Sequence, residues 1–432
     1  MEFQKLLRGF DCACGRRHTC PIRFVAVGPG AIDHLAELAA PHGAVLLVAD
    51  ENTYAAAGAQ AERALAGKAV RRCIFPGAPL LVPDERAIEA VSAALEGVGL
   101  IVAVGSGVIQ DICKYVSFFR GVPYLVVATA PSMDGYASSG AAMILKGMKT
   151  TVTTAPPSAV LADTEVLRQA PMDMIRAGFG DILGKYSSLN DWRLSHLVTG
   201  EYFCQRIYDL TDDMLQRTLA LADGLLERRE ESVRALTDAL IGVGIAISFV
   251  GTSRPASGSE HHLSHFFEMS GLLNREPYFP HGIDVAYAAV LTARMREALA
   301  RDAWPEQTVR TDRGRYVAQM RRVYGPAADG YIALQDEAGN YTDDRMPVYR
   351  AKEAEIRALL AESPRAAKLE AILDAVGLEQ SRFTAMYAPE RIADALVYAK
   401  DVRVRYSVLW LYYDLFGERP LPPSPGDADP SL

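Results

Sequence analysis

No apolar run in this 432-residue chain reaches the roughly 18–20 uncharged residues that a membrane-spanning helix needs. The N-terminus, MEFQKLLRGF, lacks the apolar core of a signal peptide. Cysteine is sparse, and six residues scattered through a large chain do not read as a disulfide framework. Basic charge is not in excess: 45 Lys and Arg face 53 Asp and Glu, for a net charge of −8, which argues against a nucleic-acid-binding surface. No internal repeat is found. These absences make a cytoplasmic globular protein, with neither membrane nor nucleic acid as partner, the expectation. Composition agrees: 50% of residues are hydrophobic and 23% charged, as in an ordinary globular enzyme. The length allows two domains, each with its own core.

One cluster departs from the cysteine scatter. Cys12, Cys14, His18 and Cys20 fall within nine residues. The spacing C-x-C-x3-H-x-C is unlike the usual C-x2-C pairs of zinc sites, and two ligands one residue apart strain a tetrahedron. The preferred reading is a tight turn at Gly15 in an N-terminal hairpin, with a metal knuckle as the alternative.

Residues 22–130 alternate short Val-, Ile- and Leu-rich runs with segments of helical spacing. Ile22–Val27, Ala44–Ala49, Val70–Phe75, Leu100–Val104 and Tyr124–Ala128 read as buried strands. Gly30–Ala40, Thr53–Leu65 and Asp84–Leu95 read as helices. This order implies an α/β domain with a largely parallel sheet, which binds ligands beyond the carboxyl ends of its strands. Past Pro171 the pattern turns helical, over Ile175–Leu194, Glu201–Leu226, Ser232–Ser248, Glu260–Met269 and Ile283–Leu299. The expected division is a nucleotide-binding domain at 1–171, an all-helical domain at 172–419 and a disordered Pro-rich tail at 420–432. Residues 301–350, broken by Gly, Pro and Asp, read as an irregular excursion, and helices resume near Lys352.

Gly105-Ser106-Gly107 sits between the strand Leu100–Val104 and a helix through Ile109, Ile112, Tyr115 and Val116. Glycine there lets backbone approach a phosphate, and the helix N-terminus offers free N–H groups. The full G-x-G-x-x-G fingerprint is absent, because position 110 is Gln. Asp50 ends the strand VLLVAD. It can accept hydrogen bonds from ribose hydroxyls, favouring NAD over NADP, or cap the helix near Thr53. Thr129 and Ser132 end another strand and can line the same crevice. Asp134 follows in a loop, able either to bind a substrate hydroxyl or to form an Asx turn.

The helical part carries the sharper signal. His261 and His265 are four residues apart, on one helix face, whereas His262 points about 100° away. Four of the eight histidines lie between 261 and 281. With Asp181 from another helix, a His/carboxylate set suits zinc, nickel or iron with a position open for substrate. The alternative is helix capping by Asp181 and backbone-bonded imidazoles.

Taken together, these segments resemble the superfamily of dehydroquinate synthase, glycerol dehydrogenase and iron-containing alcohol dehydrogenases, and within it the sn-glycerol-1-phosphate dehydrogenases of bacterial type. The segments are VADENTYAAAG (48–58), GSGVIQDICKY (105–115), ATAPSMDGYASSGAA (128–142), FGDILGKYSSLNDWRLS (179–195), SRPASGSEHHLSH (253–265), PHGIDVA (280–286) and, more loosely, RVRYSVLWLYYDLFG (403–417). The resemblance implies an N-terminal nucleotide-binding domain and a helical C-terminal domain, a divalent metal (zinc or nickel) on Asp181, His261 and His281, and substrate contacts from His265, Asp134 and Asp181. It also implies that Asp50, Gly107, Val108, Ile109, Gln110, Asp111, Thr129, Ser132 and Ser138 surround NAD, with NADP as the alternative. The implied reaction is reduction of dihydroxyacetone phosphate, a phosphorylated triose, by a homodimer. Lys146, Lys149, Lys185 and Arg254 are candidates for the phosphate. A dehydroquinate synthase-like reaction fits less well, since that branch carries Glu where Asp181 stands; glycerol or another alcohol is the alternative substrate.

Overall fold

The computed structural model describes residues 1–421, so the expected tail lies almost wholly outside the described residues. The chain divides into two compact units: residues 1–182 with 204–256, and 183–203 with 257 onward. The boundary expected at 171 therefore falls inside the first unit, which also takes in 204–256.

After a short helix, Phe3–Leu7, the first unit has a hairpin, β1 (Phe10–Asp11) and β2 (Arg17–His18), paired antiparallel with Phe10 opposite His18. Gly15 sits in its turn at φ +84°, a conformation that favours glycine. Next come β3 (Phe24–Val27), β4 (Ala44–Asp50), β5 (Val70–Phe75), β6 (Val98–Gly105) and β7 (Tyr124–Ala128). A second hairpin, β8 (Gly140–Leu145) and β9 (Met148–Thr153), precedes β10 (Ala159–Ala162). Six strands form one parallel sheet in the order β3-β10-β7-β6-β4-β5. The four-residue β10 and the second hairpin escape the sequence reading, because their short runs give no periodicity to detect. Residues 45–49 of β4 are all fully buried, with no alternation between faces. Both faces of a parallel sheet are covered, so its strands read as unbroken apolar runs.

The chain steps from β4 outward to β5, then returns across β4 to β6 and continues to β7 the other way. The carboxyl ends of β4 and β6 thus flank the switch point where sheets of this class hold ligands. The helix Glu230–Val250 is long and apolar enough to cross a bilayer, but 78% of its most apolar window is buried inside the fold. Its hydropathy is that of a core element.

Among the described residues the second unit is helical. The stretch expected as one helix over 175–194 is two, Met172–Leu183 and Lys185–Thr199, separated at Gly184. The excursion expected over 301–350 instead contains helices Arg313–Tyr324, Ala328–Ala338 and Met346–Ala351. The residues that suggested irregularity punctuate these helices. Asp312 caps the first through the Arg315 N–H at 2.9 Å. Gly339 ends the second at φ +70°, and Pro347 lies in the first turn of the third.

Candidate active site

In the first unit, Asp50 and the Gly105-Ser106-Gly107 turn end the neighbouring strands β4 and β6. A Cβ on Gly105 would lie 2.6 Å from that of Ile109, so the turn is tight enough to need glycine. The helix Gly107–Arg120 follows, with Ser106 at its N-cap. Its first-turn N–H groups have the orientation that receives a phosphate. Asp50 forms a reciprocal cap: Oδ1 accepts the Thr53 N–H at 2.7 Å, and Thr53 Oγ1 accepts the Asp50 N–H at 3.0 Å. Gln110, where the usual fingerprint has glycine, is buried. Its Nε2 donates to the carbonyls of Ala103 and Gly105, both at 3.2 Å, and so holds the turn from beneath.

Thr129, Ser132 and Ser138 are buried beyond β7, and the Thr129 N–H donates to the Gly105 carbonyl at 3.3 Å. Lys114, fully buried, organises the 134–140 segment. Its Nζ donates to the carbonyls of Gly135 and Gly140, both at 2.8 Å, and lies 3.3 Å from Asp111 Oδ1. Burial pushes the Asp111 carboxyl up and the Lys114 amine down. Lys114→Met leaves a half-buried carboxylate and two carbonyls without this cation. It should cost about 3 kcal/mol of stability, readable as an earlier urea midpoint.

Gly178 explains how Asp181 reaches this segment. A Cβ there would lie 1.8 Å from the Pro131 carbonyl oxygen, so the helix Met172–Leu183 rests its backbone on the 131 loop. One turn later, Asp181, fully buried, accepts the Asp134 N–H on Oδ2 at 2.9 Å.

In the second unit, His261 and His265 rise from the helix Ser259–Asn274, and His281 opens the helix His281–Arg301. The His281 ring lies 5.0 Å from that of His261 and 5.3 Å from that of His265, centroid to centroid. His261 Nδ1 sits 2.6 Å from Glu260 Oε1. Burial works to raise the Glu260 pKa, but the imidazole and the Gly258 N–H outweigh it and hold the carboxyl below its ordinary value. An ionised Glu260 accepts the Nδ1 proton, fixing the tautomer with its lone pair on Nε2. His281 Nδ1 lies 3.0 Å from Ser264 Oγ, whose own proton goes to the His281 carbonyl at 3.1 Å, so Nδ1 donates and Nε2 is the ring atom that could bind a cation. Ligand atoms of His265, Glu268 and His281 lie within 4.8 Å of one another. Arg403 Nη2 donates to His265 Nε2 at 3.1 Å.

Glu260, Ser264 and Arg403 were not singled out from the sequence. Glu260 adjoins His261, and an acid beside a candidate ligand histidine is a legible signal. Arg403 opens the loosely matching segment 403–417, but nothing in the sequence links it to His265, 138 residues earlier. Of the phosphate candidates, Lys185 and Arg254 are buried, Lys146 is exposed at the β8–β9 turn, and Lys149 lies on β9.

A glycerol-1-phosphate dehydrogenase [NAD(P)+] from Halalkalibacterium halodurans is 39% identical over 299 residues, 67% of this chain and 75% of its own. One from Bacillus licheniformis is 34% identical over 355 residues, 76% and 86% of the two chains. The chain belongs to the glycerol-1-phosphate dehydrogenase family. As a member it is an NAD(P)-linked oxidoreductase. The iron-containing alcohol dehydrogenase family matches residues 26–171. The fold is shared with an iron-containing alcohol dehydrogenase from Thermococcus thioreducens, at a TM-score of 0.57 and 16% identity over 95% and 96% of the two chains. The superfamily resemblance and the α/β-plus-helical architecture read from the sequence are therefore borne out.

Proposed function

We propose that this enzyme reduces dihydroxyacetone phosphate to sn-glycerol 1-phosphate in the cytoplasm, using NADH or NADPH, with a divalent cation on Asp181, His261 and His281. The observation that carries the metal reading is the pair of imidazoles in the second unit, each with Nδ1 engaged by its own oxygen partner. By their chemistry, one carboxylate and two imidazoles suit zinc or nickel and leave a coordination position for substrate. Such a cation, when bound, supplies Lewis acidity toward the substrate carbonyl.

The chain's own residues do the rest. Glu260 and Ser264 hold the two rings in their ligand tautomers. His265 donates a hydrogen bond to the substrate or passes a proton to the developing alkoxide, and Arg403, bonded to it, fixes its ring and supplies positive charge for a phosphorylated substrate. Asp134 and Asp181 are joined through the Asp134 N–H, so moving one displaces the other. At the nucleotide end, the Gly107 helix N-terminus receives the dinucleotide phosphates and Asp50 the ribose, with Val108, Ile109, Gln110, Asp111, Thr129, Ser132 and Ser138 around them.

The test is NADH oxidation by chelated enzyme re-supplied with one metal at a time, offered dihydroxyacetone phosphate or dihydroxyacetone. Turnover with the phosphate ester should exceed that with the free triose by at least about 100-fold, since burying a phosphate against a cation contributes several kcal/mol. Equal rates with the two would point to a polyol or simple alcohol instead.

A further inference from the structure

The hairpin expected at Gly15 is present, but the cysteine cluster does not close as the sequence suggested. Cys20 stands apart, and Cys204, distant in sequence, takes its place: ligand atoms of Cys12, Cys14, His18 and Cys204 all lie within 4.8 Å of one another. All four residues belong to the first unit. We infer that they form a closed, structural zinc site that fastens the N-terminal hairpin to the start of the helix Gln205–Leu219.

The spacings are those of a tetrahedron. Zinc–sulfur bonds of about 2.3 Å and zinc–nitrogen bonds of about 2.0–2.1 Å set sulfur–sulfur edges near 3.8 Å and sulfur–nitrogen edges near 3.5 Å. Cys12 Sγ is 3.7 Å from Cys204 Sγ, and His18 Nε2 is 3.4 Å from Cys14 Sγ and 3.5 Å from Cys204 Sγ. The 3.7 Å separation is also far beyond a disulfide bond.

The histidine is prepared as a ligand. His18 is fully buried, and its Nδ1 lies 2.8 Å from the Phe249 carbonyl oxygen, which can only accept. The proton is therefore on Nδ1 and the lone pair on Nε2, facing the sulfurs; zinc-bound imidazoles are oriented in the same way, by donating the other ring N–H to an oxygen. The ring is held between Phe10 and Phe249, at centroid distances of 5.1 and 5.9 Å. The C-x-C spacing is accommodated by the Gly15 turn, where the Cys12 N–H donates to the Arg16 carbonyl and the Gly15 N–H to the Cys12 carbonyl. Cys204 is the N-cap residue of its helix. Binding releases three thiol protons and leaves the site with one net negative charge. Four protein ligands leave no position for substrate, so the role is structural.

The test uses the full chain with His261→Ala and His281→Ala in place, so that metal at the other site does not contribute. That protein should hold one zinc per chain by mass spectrometry of the metal, as purified or after titration with zinc. Its cobalt derivative should show thiolate-to-cobalt absorption in the near ultraviolet. Adding Cys14→Ser, at a half-buried position, should remove that equivalent and lower the Tm. If that variant does not fold, the cobalt spectrum of the cysteine-intact protein decides alone. Failure to take up zinc, a cobalt spectrum without thiolate bands, or a Cys12–Cys204 disulfide in non-reducing peptide mapping would each overturn the site.

Discussion

Replacing His261 or His281 with alanine is expected to lower kcat/KM for carbonyl reduction by roughly 10³-fold, because Lewis-acid stabilisation of a developing alkoxide contributes several kcal/mol. The loss should track metal content: the variant protein should fold with wild-type circular dichroism yet retain less divalent cation after gel filtration. Two neighbouring changes separate ligation from orientation. Glu260→Gln keeps the ring but no longer accepts its proton as a carboxylate, and should weaken metal affinity about 10–100-fold, recoverable by excess metal. His265→Ala should leave metal content intact while cutting kcat about 100-fold or more, in the range of a lost general acid. A His261→Ala enzyme with full activity after chelation would end the metal reading.

The second large effect concerns the foundation of the histidine helix. Asp191, fully buried, accepts three hydrogen bonds: from Arg296 Nη2 at 2.8 Å, from the Val408 N–H at 3.0 Å and from the Ser259 N–H at 2.7 Å. Ser259 is the first residue of the helix that carries His261 and His265. Arg296 is itself 1% exposed and also donates to Asn190 Oδ1 at 2.9 Å. Asp191→Ala leaves a buried guanidinium without its countercharge and two backbone N–H groups without an acceptor. The expected loss is about 3–5 kcal/mol, a Tm lower by roughly 10 °C in differential scanning calorimetry. The pair as a unit is worth less than its breakage: Asp191→Leu with Arg296→Met should recover part of the loss. The double variant should regain stability more than metal affinity, because it does not restore the acceptor at Ser259. A Tm unchanged in Asp191→Ala would show that the network does not bear on stability.

What the sequence determined by itself is what local chemistry encodes. The runs VLLVAD and LIVAVG bury both faces and read directly as strands of a parallel sheet, because covering helices remove any need to alternate. The four-residue spacing of His261 and His265 places two rings on one helix face, since the helical period requires it. The glycine turn after β6 and the cap at Asp50 are likewise short-range matters of backbone freedom and one side chain. Only the tertiary structure decided which distant residues share a site. Cys204 joins a motif nearly two hundred residues upstream in place of neighbouring Cys20, Arg403 reaches His265 from the far end of the chain, and Gln110 turns inward to hold the strand carbonyls. The helices of 313–351 emerged where Gly and Pro looked like interruptions, because those residues sit at helix ends. Periodicity reports hydrogen bonding and burial within one element. Proximity between elements depends on how helices stack and strands cross over, and no repeat along the chain records that.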